Sequence, residues 1–344
     1  MAHDISATVL YDKTLGSLLG ALIGDAIGTP TEGMDYTQIE AQFGWVDDFD
    51  CDGTDDTVMK VLLAEALIAS GGYATLDDWA RQWLDDWDAI FGDKRAKFFI
   101  SVLHTAQKLR RHALPRQAAL GNMPSSSSAM CISPVGIVNA CHPRQAALQA
   151  YNLASLIHVY DVGFCQDGAA AMAAAVAEAF KLDAKIESVL QAAVDAILPQ
   201  SGADMRARIE RALALARSTG EYRAFRQAIY ADRDRFFCRI TCDSRETIPL
   251  ALAVLLLGEG DLERCVCYAA NLGRDADTIA TMAGAIAGAL NGMQGIREDW
   301  VSKAHDVSSW DQQELAHRLC RAALSKHEQE TQARSRFEEL LQGE

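Results

Sequence analysis

An all-α fold is what this 344-residue sequence predicts. Apolar residues recur at spacings of three and four in segment after segment, no stretch of useful length alternates apolar with polar, and neither a Gly-x-Gly-x-x-Gly turn nor a phosphate-binding loop is present. About half of the residues are hydrophobic, which supplies a substantial core, although length alone does not choose between one large domain and two.

The first helix is predicted from Lys13 to Gly28, with Leu15, Leu18, Leu19, Leu22 and Ile23 inward and Gly16, Gly20 and Gly24 on a face open to close approach. Pro30 and its flanking glycines end it and leave Glu32 on a loop. Gly53-Thr54-Asp55-Asp56-Thr57 then opens an apolar helix over 55–70, with Thr54 read as its N-cap and the acids favoured by the helix dipole. Trp79, Trp83 and Trp87 form a packing stripe on one helix over 75–92. The basic runs Lys94-Arg95-Ala96-Lys97 and Lys108-Leu109-Arg110-Arg111-His112 read as solvated faces in and around a helix over 95–112.

Residues 121–130 form the one extended polar loop, Gly-Asn-Met-Pro-Ser-Ser-Ser-Ser-Ala-Met. It runs straight into an apolar stretch, so Ser126, Ser127 and Ser128 read as ligand contacts beside an oxygen-rich site rather than as a linker. Helices follow at 145–160, which His158 ends, and at 166–181, 185–197, 203–218 and 222–231. After the polar turn Ser244–Pro249 an apolar helix is expected over 249–257, and another over 260–271. The second acid motif, Gly273-Arg274-Asp275-Ala276-Asp277-Thr278, opens a helix of Ala, Gly, Ile, Met and Leu that has to be packed on every side, with Gly284 and Gly288 at small-residue spacing. Residues 326–344 form a polar helical tail to a domain over 1–325.

Burying paired acids at the mouth of an apolar helix costs more than a helix dipole returns unless a cation offsets them. Two such helix starts with flanking threonines make an all-oxygen site that suits Mg²⁺, Mn²⁺ or Ca²⁺ rather than zinc. A formal charge of −15 speaks against nucleic acid as a partner, and no segment reads as a membrane span or signal peptide. Nine scattered cysteines without metal-finger spacing fit reduced core thiols, and a cytoplasmic location is expected.

These motifs resemble the ADP-ribosylglycohydrolases, the group that includes dinitrogenase-reductase-activating glycohydrolase. The carriers are Gly16–Gly28 with Gly24-Asp25-Ala26, then Glu32, Gly53–Thr57, Ser244–Pro249 and Gly273–Thr278. The resemblance implies a compact single-domain helical bundle with two divalent cations, Mg²⁺ or Mn²⁺. Their ligands would be Thr54, Asp55, Asp56, Asp275, Asp277 and Thr278. Glu32 would bind a metal or handle the proton, with Asp56 as its catalytic partner. The implied activity is hydrolysis of a ribosyl bond, with ADP-ribose removed from a modified protein or a small molecule.

By the same resemblance Asn122, the serines, Met130 and His158 face the substrate. The chain departs from the family where its members carry Gly-Asn-Gly-Ser/Gly-x-Met-Arg. It has Gly121-Asn122, then Met-Pro and four serines, then Ala129-Met130-Cys131. That departure keeps two alternatives open: a nucleoside-type N-ribosyl hydrolase on the same metal centre, and a non-catalytic ADP-ribose-binding protein.

Overall fold

A computed structural model describes residues 4–342. Nineteen α-helices and five short 3-10 turns account for its regular structure. Among the described residues there is no β-strand, only an isolated bridge between Asp35 and Gly273.

Helices α1 (Val9–Gly28) and α17 (Ala276–Asn291) form the axis, because both are buried almost end to end. They run antiparallel with their backbones in contact. A Cβ placed on Gly20 would lie 2.3 Å from the Gly284 carbonyl oxygen, one on Gly24 2.2 Å from that of Ala280, and one on Gly16 2.6 Å from that of Gly288. A four-residue glycine repeat keeps its residues on one helix face, so the two repeats interlock along their length. Gly28 closes the series against the Cα of Asp277, at 2.3 Å by the same measure. The end of α1 is thereby set on the start of α17.

Between the two come α2 (Tyr36–Phe43), α3 (Asp55–Ala69), α4 (Leu76–Asp85), α5 (Trp87–Phe91), α6 (Ile100–Arg110), α7 (Pro115–Ala118), α8 (Ser133–Val138) and α9 (Pro143–Ala154). Next are α10 (Phe164–Ala179), α11 (Ile186–Asp195), α12 (Ala203–Thr219), α13 (Tyr222–Ala231), α14 (Arg233–Phe236), α15 (Ser244–Leu257) and α16 (Leu262–Ala270). The series closes with α18 (Glu298–Val307) and α19 (Gln312–Gln342). One continuous core cluster runs through these helices, with residues from α1, α3, α10, α15 and α17 at its heart.

Several expected helices differ in their bounds: α1 begins at Val9 rather than Lys13, and α9 ends at Ala154, which leaves His158 in the loop that follows. The tryptophan helix breaks at Asp86, so Trp79 and Trp83 are buried while Trp87 is partly exposed, stacking on Phe91 beneath the Arg110 guanidinium. The helix expected from residue 95 starts at Ile100, after a 3-10 turn over Asp93–Ala96. Helix α15 begins at Ser244, ahead of Pro249, because Asp243 caps the Arg245 N–H while Ser244 and Glu246 are buried against the Ser125 carbonyl and Arg274. Helix α19 runs unbroken through residue 325. Just beyond, Lys326 is buried and donates to Asn139 and Gln149, whereas residues 331–341 are exposed. No helix is long and apolar enough to cross a membrane among the described residues.

Candidate active site

Both acid motifs end at one cleft of about 430 Å³. Its floor is Asp55, Asp56, Asp275, Asp277 and Thr278, and Glu32 stands at its edge. The two helix starts, about 220 residues apart in sequence, meet directly: the Thr278 hydroxyl donates to Asp56 Oδ2 at 3.3 Å. Carboxylate oxygens of Asp25, Asp56 and Asp277 lie within 4.8 Å of one another, as do those of Glu32, Asp275 and Asp277, so Asp277 belongs to both groups. Asp55 lines the cleft outside either group.

Asp25, to which the sequence pattern assigns no ligand or catalytic role, is part of the cluster. It is fully buried at the end of α1 and accepts four hydrogen bonds: from the Thr54 N–H (2.8 Å) and hydroxyl (2.9 Å), and from the Thr57 N–H (3.0 Å) and hydroxyl (2.6 Å). Thr54 therefore occupies the N-cap position of α3 without capping it, because its hydroxyl is turned to Asp25. Gly53, at φ +76°, is where the chain comes closest to that carboxylate, and a Cβ there would sit 2.3 Å from Asp25 Oδ2. The signal for Asp25 was Gly24-Asp25-Ala26 in an apolar helix, an acid whose purpose is invisible until the Thr54–Thr57 turn is folded over it.

At α17 the backing is of another kind. Arg274, also at positive φ, points away from the cleft and forms a two-pronged ion pair with the fully buried Glu246 on α15, at 2.7 and 2.9 Å, while donating to the Cys238 carbonyl. The bidentate pair offsets the cost of the strained backbone, on the order of 1 kcal/mol or more. Backbone bonds from Gly33 to Arg274 and from Arg274 to Met34 fasten the Glu32 loop to this turn.

The serine loop is part of the site wall and is buried throughout, Ser125 to Ser128 being at most 2% exposed. Ser126 donates to Asp275 Oδ2 (3.2 Å) and its N–H to the Cys242 carbonyl, while the Ser244 hydroxyl holds the Ser125 carbonyl. Ser126, Ser127 and Met130 line the cleft. Ser128 and His158 stand behind it: the imidazole bridges the Ser125 and Ser128 hydroxyls at 3.0 and 2.9 Å, and burial pushes its pKa down to about 3. Asn122 is turned away from the cleft, its amide donating to Thr105 and to the Ile157 carbonyl.

The basic run at 94–97 is not a solvated face. Lys97 pairs with Glu32 at 2.8 Å and lines the cleft, and Lys94 pairs with Asp52 and donates to the Gly53 carbonyl. The 3-10 turn that replaced the expected helix start puts both ammonium groups over the acid motif. Phe98, Phe99 and Ile100 continue this wall, and Arg239, Ile240, Thr241 and Cys242 form the opposite one.

Burial raises the pKa of all five inner acids. Asp275 is pushed up to about 7 by desolvation and then by Glu32; Asp55, Asp56 and Asp277 rise by desolvation and then by neighbouring carboxylates, first Asp25 for Asp55 and Asp56 and first Asp275 for Asp277; Asp25 is also raised by desolvation, against the pull of its threonine donors.

The profile of one protein family, the ADP-ribosylglycohydrolases, matches residues 6–332. The chain belongs to that family. It is accordingly a hydrolase of glycosidic bonds, and the helical fold is the family's. Human ADP-ribosylhydrolase ARH3 is 26% identical over 86% of this chain and 90% of its own. The ADP-ribosylarginine hydrolase Tri1 of Pseudomonas putida is 26% identical over 90% and 78%. YegU of Escherichia coli, a protein without an assigned function, is 28% identical over 94% and 99%. Among solved structures, an ADP-ribosylglycohydrolase-related protein complex matches with a TM-score of 0.67 at 20% identity, over 91% of this chain and 99% of that one.

Proposed function

We propose that this chain is a divalent-metal-dependent hydrolase that removes ADP-ribose from a modified protein or small molecule. The observation that carries the reading is Asp56: its Oδ1 is buried without a hydrogen-bond partner in a nest of four other buried acids. An orphaned carboxylate oxygen among like charges needs a cation. The donors are carboxylates and threonine hydroxyls, a hard-oxygen set that fits Mg²⁺ or Mn²⁺. Asp55, Asp56, Asp275, Asp277, Thr54 and Thr278 would hold two such ions, the shared Asp277 lying between the two carboxylate groups. Bound there, the ions would supply Lewis acidity towards sugar oxygens and water.

The chain's own residues do the rest. Glu32, partly exposed at the cleft edge and reachable by water, takes the proton of the attacking water and hands it on to the leaving group. The ring of carboxylates stabilises positive charge developing at the anomeric carbon, as an oxocarbenium-like transition state requires. Ser126 fixes Asp275, and Ser127 and Met130 shape the wall against which ribose lies. Lys97 and Arg239 bring positive charge to a rim that faces the diphosphate, and Phe98, Phe99 and Ile100 offer apolar surface to the base.

The relatives named for acting on ADP-ribosyl groups, ARH3 and Tri1, support this substrate class. Turnover of ADP-ribosylated arginine and serine peptides in Mg²⁺ or Mn²⁺ is the test, with free nucleosides alongside. Release of ADP-ribose that stops on chelation is expected. Cleavage of nucleosides alone, or tight ADP-ribose binding with no product, would replace the reading by the ribosidase or the binding protein.

A further inference from the structure

Lys60 is fully buried in α3, one turn beyond Asp56, yet no carboxylate lies in ion-pair contact with it among the described residues. Its Nζ donates to the Leu18 carbonyl of α1 at 2.9 Å. Leu18 lies two turns before Asp25 on the same helix, and the 0, +4 and +7 spacings put Lys60 with Asp56 and Leu18 with Asp25 on common faces. The ammonium therefore sits in the seam between the two helices that carry Asp25 and Asp56, on the closed side of the acid cluster. An ammonium sealed in apolar surroundings with one neutral acceptor is not stable by itself, so its charge depends on a nearby negative field.

We propose that Lys60 is a positioning residue of the acid cluster, a fixed internal cation that balances part of the charge behind Asp25 and Asp56 and holds down the affinity of the site for divalent cations. The charge balance agrees. Six carboxylates, Asp25, Glu32, Asp55, Asp56, Asp275 and Asp277, face Lys97 and the exposed Arg239 at the rim and Lys60 from beneath, which leaves an excess of negative charge for divalent ions to offset. Burial draws the Lys60 pKa down to about 8 while the Asp25 and Asp56 charges draw it up, which is the balance such a counter-charge has. A mere anchor on the Leu18 carbonyl would need only a neutral N–H donor.

This inference rests on the metal reading of the site, and its test separates the two. Mn²⁺ is titrated calorimetrically into full-length wild-type protein and into the Lys60→Gln, Lys60→Met and Lys60→Arg variants, with melting followed with and without Mn²⁺. The Gln and Met variants are expected to bind Mn²⁺ about tenfold tighter and to gain more Tm from it, because a like charge in a poorly screened interior is removed. Arg stays near wild type. Gln and Met variants that match wild type, or bind more weakly, overturn the inference alone. A wild-type protein that binds no Mn²⁺ overturns the metal reading and this inference with it. Should neither charge-free variant be recovered folded without metal, recovery in Mn²⁺ is the expected result, and failure in both conditions overturns the proposal.

Discussion

The starts of α3 and α17 carry nearly the same residues and are supported in opposite ways. At α3 the acids rest on another acid: Asp25 gathers the Thr54 and Thr57 donors and touches the cluster itself. At α17 the acids hang from a buried ion pair that faces away, Arg274 with Glu246, and from a loop zipped to the backbone. One start is electrically part of the site, the other is mechanically braced. Similar sequence at two helix N-termini is therefore no guide to how each is built, because the support comes from α1 in one case and α15 in the other.

The two helix starts depend on each other most at the residue they share. Asp277→Asn should abolish turnover, by about 10³-fold or more, since removing a residue common to both groups costs several kcal/mol of transition-state stabilisation. Retention of a tenth of the activity would show that the halves work separately. Next, Asp25→Asn places an amide among four donors aimed at a carboxylate, and should cost about 10–100-fold in Mn²⁺ affinity and activity. The matching change at the other start, Glu246→Gln, should destabilise the fold by about 2–4 kcal/mol while leaving Mn²⁺ affinity of the folded protein within about threefold. If it weakens Mn²⁺ binding as much as Asp25→Asn does, the α17 start is electrically part of the site as well. Lys97→Met releases Glu32 and should change kcat by less than about tenfold with little effect on Tm, as exposed pairs do.

The smallest effect is a pH dependence behind the serine wall. His158 has a folded pKa of about 3 against 6.5 unfolded, so between these values the unfolded chain binds more protons. Its contribution is complete above pH 6.5 and is lost as pH falls towards 3, amounting to about 2 kcal/mol by pH 5. The inner acids, with raised pKa values, act in the other direction, so the measurement is the difference in Tm slope between wild type and His158→Gln over pH 5–7. Equal slopes would remove His158 as a titrating support.

Of the site, Asp55, Asp56, Asp275, Asp277 and Thr278 were legible because acids at the start of an apolar helix violate a local rule. Ser126, Ser127 and Met130 were legible as a polar loop entering an apolar stretch. Asn122 and His158 were placed at the cleft by resemblance, and the structure puts their side chains in the packing behind it. Lys60 carried no signal and Asp25 none beyond Gly24-Asp25-Ala26, because a single charge in a helix has no partner within its own few residues; Lys97 read as part of a solvated face because its partner Glu32 lies 65 residues away.

The sequence by itself determined the helices, since hydrophobic period and glycine spacing act over one or two turns, and it determined that acids would be forced into an interior. Only the tertiary structure decided which charges meet. The glycine faces of α1 and α17 must interlock before Asp25 joins Asp277 and before Asp56 comes within reach of Thr278. Electrostatic pairing depends on distances that close across more than two hundred residues, and no local periodicity encodes those distances.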